Sequence, residues 1–392
     1  MEQKIPKSVV DIIELIHNQN KICYIVGGAP RDILLGKEPK DYDLCTDIPL
    51  QELQLLIPHF HLMKQTDLRN AGITRIEDTI IEISELKGTT LEEDILRRDF
   101  TINGIAMSKD GTIVDPYNYQ QDISKRALSL IDKTGNSISE NPMLILRAMR
   151  IASQNNLTID ENTKEQIKAR GVNLTKVIGQ RAYGEFSKLL LTEDFYKYLD
   201  EYFKIFIMLI PELINNPKLE KTYKLLKLTP GNIVLKLAAL FTYNKNNIQD
   251  FTQFANRMCI DKKTIKLVSL LLSYKNKNID ISQSGINRTI HEFNIQNVDL
   301  LFAYKKIILS LDNQDTNHLL LAQHHYQKAI DEIISTRISQ LTVNQEKIES
   351  LGFNQEEAHI IFEDVKGRII SNTLQNTESS ITAYILNKHK KS

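Results

Sequence analysis

What the sequence has little of narrows it first. Cysteine occurs three times in 392 residues, at Cys23, Cys45 and Cys259, scattered and odd in number. Such a set makes neither a disulfide framework nor a zinc site and suits a reducing compartment, so a cytoplasmic protein is expected. No uninterrupted apolar run reaches the roughly 18 residues a membrane helix needs, so no membrane partner is expected. The opening stretch MEQKIPKSVVDIIELIHNQN lacks the basic-then-apolar layout of a secretory signal. Net charge is zero, which speaks against a uniformly basic nucleic-acid binder.

The zero conceals a split. Residues 1–130 carry 15 Lys+Arg against 21 Asp+Glu, a balance of −6, and the rest of the chain carries 34 against 28, or +6. An acidic front and a basic back suit a metal-binding catalytic part joined to a part that holds a polyanion, with chance as the plain alternative. At this length two or more domains are expected.

Strand and helix signals alternate at the front. KICYIVGG reads as a buried strand, PRDILLG as a helix from proline to glycine, DYDLCT as a strand and PLQELQLLI as a helix. GITRIEDTIIEISEL reads as a hairpin turning at Glu77-Asp78, and TINGIAMSKDGTIVDPY as another turning at KDG. Beyond about residue 138 glycine thins out and apolar residues recur at helical spacing, as in PMLILRAMRIASQ and TIKLVSLLLSY. The fold class expected is α+β: a head with a small mixed sheet and helices over 1–137, a helical neck over 138–200, and an all-α body and tail over 201–392.

One stretch of the head carries chemistry. Asp41 and Asp43 stand two apart on a strand and therefore share a face. Adjacent carboxylates repel unless a cation lies between them, and Mg²⁺, which takes a few carboxylates plus substrate phosphates, is the natural occupant. Gly27 and Gly28 precede a helix start, where bare backbone and free N–H groups can approach a phosphate, with Arg31 in the first turn as its charge partner. Each feature alone is common as a turn or a surface pair. Together they describe a cradle for a nucleoside triphosphate and its metal.

The stretch GGAPRDILLGKEPKDYDLCTD resembles the signature of the class II tRNA nucleotidyltransferase and bacterial poly(A) polymerase family. LEEDILRRDFTINGIAM and DPYNYQQDI are similar to that family's second and third motifs, and ENPMLILRAMRIASQNNLTID follows as a neck stretch. The likeness is close over about residues 22–200 and faint beyond. It implies that Asp41 and Asp43 hold two Mg²⁺ ions while an RNA 3′-hydroxyl, most often that of a tRNA, attacks the α-phosphate of CTP or ATP. It implies triphosphate contacts for Gly28 and Arg31, with Asp32 orienting Arg31 or capping the turn. Nucleotide contacts are implied for Arg98, Asp99, Arg147 and Arg150, with Asp99 accepting from the ribose 2′-hydroxyl and Asn103 bracing the loop. Glu82 stands as a third carboxylate or a surface residue. The basic runs NNPKLEKTYKLLKL and KNKNIDISQSGINR are candidates for RNA phosphates, or plain solvated faces. His318, His324 and His325 lack metal-site spacing and read as structural.

The chain also departs from that family. Its usual Glu-Asp-x-x-Arg, whose Asp and Arg read the incoming base, is here Glu140, Asn141, Pro142, Met143, Leu144. Asn141 can still donate and accept, whereas Leu144 can do neither. Asn118-Tyr119 replaces a glycine pair of the third motif. Between EISEL and LEEDILRRDF only KGTT remains where the family often has a longer loop. A short loop resembles the CC-adding branch, but that branch keeps the base-reading pair. An active tRNA nucleotidyltransferase is the leading expectation, with a poly(A) polymerase or a catalytically weak RNA-binding paralogue as alternatives.

Overall fold

The computed structural model describes residues 5–63, 70–177, 179–371 and 373–389. The first and last residues of the expected head and tail, 1–4 and 390–392, lie outside the described residues. The chain forms two compact units, Met1–Pro211 and Glu212–Ser392.

The first unit opens with α1 (Lys7–His17), β1 (Cys23–Val26), α2 (Gly28–Leu34), β2 (Tyr42–Thr46) and α3 (Leu50–Leu56). Strands β3 (His61–Leu62), β4 (Ala71–Ile76) and β5 (Thr79–Glu85), then α4 (Leu91–Leu96), β6 (Ala106–Met107) and β7 (Ile113–Val114) complete the head's sheet and its cover. The strand order is β3-β4-β5-β2-β1-β6-β7. Both expected hairpins form, β4–β5 around Glu77-Asp78 and β6–β7 around the KDG turn, while β2 and β5 run parallel.

Alternation along the strands sorts the two faces. Cys23 and Ile25 of β1, Tyr42 and Leu44 of β2 and Ile81 and Ile83 of β5 pack in one cluster with Val9, Ile12, Ile13 and Ile16 of α1. Their neighbours Val26 and Cys45 pack on the other face with Leu91 and Ile95 of α4. Because the side-chain period of a strand is two, Asp43 of β2 and Glu82 of β5 belong to this second face.

The neck follows as α5 (Gln120–Ser124), β8 (Ala127–Leu128), α6 (Asn136–Glu140), α7 (Met143–Asn155), β9 (Thr158–Ile159), α8 (Glu161–Arg170), α9 (Gln180–Leu190), α10 (Phe195–Glu201) and α11 (Phe203–Leu209). Two features differ from the sequence reading. The remainder is not wholly helical, because β9 pairs in parallel with β8 and fixes the chain after α7. The expected 137/138 boundary falls inside α6, and the break between units lies at 211/212 rather than 200/201.

The second unit is helical throughout its described residues: α12 (Leu219–Leu228), α13 (Ile233–Phe241), α14 (Asn247–Arg257), α15 (Lys262–Ser273), α16 (Gln283–Phe293), α17 (Val298–Leu311), α18 (Asn317–Ser339), α19 (Gln345–Glu349), α20 (Gln355–Ile370) and α21 (Glu378–His389). Its entry is locked by a buried polar knot in which Arg257 grips both oxygens of Glu212 and Asn244 donates to Asp250. Among the described residues no helix is long and apolar enough to cross a membrane.

Candidate active site

The turn from β1 into α2 is the seed of the site. The helix begins at Gly28, ahead of the proline expected to start it, because Gly27 as N-cap adopts φ +74° and ψ −123°, a conformation that costs a residue with a Cβ. Register pairs Val26 with Asp43, and a Cβ built on Gly27 would meet Asp43 Oδ2 at 2.7 Å. Glycine is therefore what lets the Asp43 carboxylate lie against the turn. Asp41 stands one residue before β2 and is exposed, and Asp43 is half-buried.

From this turn an ionic network runs toward the neck. Arg31 Nε donates to Asp32 Oδ1 at 2.8 Å, and its Nη1 donates to Asn103 Oδ1 at 2.8 Å. Asn103 Nδ2 donates to Asp99 Oδ1 at 3.0 Å, which also accepts the Phe100 N–H at 2.8 Å. Arg147 Nη1 donates to Asp99 Oδ2 at 3.2 Å. Arg147 and Arg150, three apart on α7 and hence on one face, converge on Glu185 of α9 at 3.4 and 2.8 Å. Burial pushes the Asp99 carboxyl up, but the Arg147 charge and the bonds from Asn103 and Phe100 outweigh it and hold it below the usual aspartate value. Burial opposes the Arg147 charge too, and Asp99 and Glu185 more than offset it.

The structure thus brings together Gly27, Gly28, Arg31, Asp43, Asn103, Asp99, Arg147 and Arg150, and Arg31 donates to both Asp32 and Asn103. Three expected residues stand otherwise. The Arg98 guanidinium is buried against Asp94, with Nε and Nη2 at 2.9 and 2.5 Å from Oδ2, so in this structure it ties α4 to the following turn instead of presenting to a ligand. Asn141 is the half-exposed C-cap of α6, its N–H donating to Ser137. Leu144, expected on the same base-reading face, is 5% exposed and packs among the apolar residues of α7. The α6–α7 break at Pro142 removes the single continuous helix on which a shared face depends.

Sequence reasoning missed Glu185. It lies in RAYGEFSKLLL, and nothing local marks it as the partner of arginines 35 and 38 residues earlier. The glycine position of the third motif has a physical counterpart: Asn118 takes φ +59°, which asparagine tolerates better than most residues.

Magnesium fits the donor chemistry. Among the described residues no group of three or more His, Cys, Asp or Glu is placed to hold a metal, although Glu82 is the register neighbour of Asp43. The carboxylates that would hold it are Asp41 and Asp43, and Asp43 lies against the Gly27 turn. Mg²⁺ bound by two carboxylates draws its remaining ligands from water and substrate phosphates.

The Asp43 carboxylate lies against a glycine turn on a small mixed sheet, and Arg147 of α7 reaches Asp99 of the head. Residues 23–129 match the poly A polymerase head domain family, and residues 156–216 match the family described as the probable RNA and SrmB-binding site of polymerase A. Over these residues the chain is similar to the class II tRNA nucleotidyltransferase and poly(A) polymerase family. It is 32% identical over 186 residues to the CC-adding tRNA nucleotidyltransferase of Halalkalibacterium halodurans, covering 47% of this chain and 48% of that one. It is 34% identical over 194 residues to the CCA-adding enzyme of Leuconostoc citreum, covering 46% and 48%. The chain spans about half the length of the curated relatives it matches. Its fold is that of the Bacillus stearothermophilus CCA-adding enzyme in complex with CTP, with a TM-score of 0.65 at 18% identity over 98% of this chain and 97% of that one. The Thermotoga maritima CCA-adding enzyme complexed with tRNA gives a TM-score of 0.61 at 17% identity over 98% and 97%.

Proposed function

We propose that this protein adds nucleotides to the 3′ end of a tRNA, transferring NMP from CTP or ATP. The carrying observation is the placement of Asp43 against the Gly27 turn, with Arg31 rising from the same turn. In the reaction the RNA 3′-oxygen bonds to the α-phosphorus, the bond to the bridging oxygen breaks, the hydroxyl proton passes to solvent, and pyrophosphate leaves. Asp41 and Asp43 would hold Mg²⁺, two ions in this reading, which supplies charge stabilisation to the entering and leaving oxygens. Arg31, fixed by Asp32 and Asn103, binds the triphosphate without reorganising. Asp99 Oδ2 accepts one bond from Arg147 and keeps capacity for a ribose 2′-hydroxyl. Arg147 and Arg150 hold the nucleotide from the neck side.

One observation favours addition of C over a full CCA. The connection from β5 to α4 is short, and Glu93 pins it by accepting from the Thr89 N–H at 2.7 Å while Thr90 caps α4. The CC-adding relative carries that product in its name.

The protein is incubated with Mg²⁺, each labelled NTP in turn, and tRNA ending before CCA, after CC, or complete. Label from CTP on the first RNA alone supports CC addition. Label from ATP on the second supports a CCA product, and repeated AMP on any end supports a poly(A) polymerase. No labelling of any RNA overturns the enzymatic reading in favour of an RNA-binding paralogue.

A further inference from the structure

Two basic stretches far apart in sequence meet in the second unit. Lys218 and Lys221 stand at the start of α12, and Lys275 lies just past the end of α15. Burial, with the charges of Lys218 and Lys221 beside it, holds the Lys275 ammonium below the usual lysine range. Lys275 Nζ sits 4.8 Å above the centre of the Tyr243 ring and forms no ion pair among the described residues. Lys221 Nζ is 2.6 Å from Asp312 Oδ1, at the end of α17. Lys218, Lys221 and Asp312 thus all lie near Lys275, three cations to one carboxylate, an excess of two positive charges.

A second observation points to a missing acceptor. Tyr243 is 6% exposed, and its buried hydroxyl has no hydrogen-bond partner among the described residues. Burial and the Asp312 charge push that hydroxyl up to about 12, so near neutral pH it remains a donor. Buried polar groups are nearly always satisfied, which makes an orphan donor beside unneutralised cations a mark of an absent anion or a water that bridges to one. The anion is part of a long chain rather than a free nucleotide. Lys218 is exposed, so the cluster opens to solvent, and the Tyr243 ring is covered by Lys275 and offers no face for stacking a base.

We propose that Lys218, Lys221, Lys275 and the Tyr243 hydroxyl form a phosphate subsite for the RNA backbone. The inference rests on the RNA-substrate reading above, and it concerns residues outside the catalytic head. Each neutralised phosphate releases condensed counterions, so each lysine lost lowers the salt dependence of binding by a definite step.

The test uses the full chain and a tRNA transcript lacking its 3′-terminal nucleotides, with affinity measured from about 50 to 300 mM salt. Lys218→Gln/Lys275→Gln should weaken binding and reduce the slope of log K against log salt by about 1.4–1.8, two contacts at roughly 0.7–0.9 each. Asp312→Asn frees Lys221 and should tighten binding severalfold, a gain that lost structure would not produce. Both variants should retain nucleotide addition at saturating RNA. An unchanged slope in the double variant, or weaker binding by Asp312→Asn, overturns the subsite alone. No RNA binding by the unaltered protein overturns both the subsite and the RNA-substrate reading.

Discussion

Arg147 of α7 reaches Asp99 of the head at 3.2 Å while sharing Glu185 with Arg150, so one carboxylate on each side orients the arginines assigned to the nucleotide. Glu185 acts through those arginines, which makes it a positioning residue. Glu185→Ala leaves two guanidiniums on one helix face without their shared anion. Its KM for NTP should rise about tenfold, the scale of one hydrogen bond to a charged group at roughly 1.5 kcal/mol, with kcat changed less. Equal loss in kcat with KM unchanged would contradict the assignment.

The same pair sets an acid limit. Asp99 is held below its ordinary value, so its stabilisation is fully present above the unfolded aspartate pKa of about 3.9 and is lost as pH falls through the lower folded value. Arg147→Gln removes the charge that holds it down. The acid-unfolding midpoint, followed by circular dichroism, should move to higher pH in that variant. A midpoint that stays in place would show that Arg147 does not depress Asp99.

Gly27→Ala should cost activity out of proportion to stability. The added methyl group faces both an unfavourable φ of +74° and the Asp43 carboxylate at 2.7 Å. Strain of this kind costs on the order of 1–3 kcal/mol, which the head can survive, whereas a displaced Asp43 would not hold the Mg²⁺ proposed for it. Addition should fall at least a hundredfold in a protein that still unfolds cooperatively. Activity near that of the unaltered chain would mean that Asp43 need not lie at the turn.

Leu144→Arg should not restore base reading. The position is 5% exposed, and an unpaired buried charge is expected to cost about 3–5 kcal/mol. Thermal unfolding should drop steeply for Leu144→Arg and little for Asn141→Asp, and the double variant should gain no selectivity against UTP and GTP. Sharper selectivity in a stable double variant would show that Leu144 occupies a base-facing position after all.

The head was legible because its strands alternate and its turns carry glycine, aspartate and lysine where the geometry requires them. Cys23–Val26, Tyr42–Thr46 and both hairpins lie where the pattern puts them. The pair β8–β9 was not legible, since strands of two residues have no periodicity to read. Within the candidate site, the placement of Asp43 and Arg31 at one turn followed from local spacing. Glu185 and the buried turn of Arg98 onto Asp94 follow only from tertiary contacts. Lys37 illustrates the same limit: it donates to Gln154 O and Asn155 Oδ1, anchoring the end of α7 across more than a hundred residues of sequence.

The most direct measurement is incorporation of labelled NMP into tRNA lacking its 3′ end by the unaltered chain and by Asp43→Ala, each with its RNA affinity determined in parallel. The account predicts that Asp43→Ala, and Asp41→Ala beside it, abolish incorporation while RNA affinity stays nearly unchanged, because metal ligation and backbone gripping reside in different residues. Incorporation by either variant within about tenfold of the unaltered protein would contradict it, since a lost metal ligand removes several kcal/mol of transition-state stabilisation.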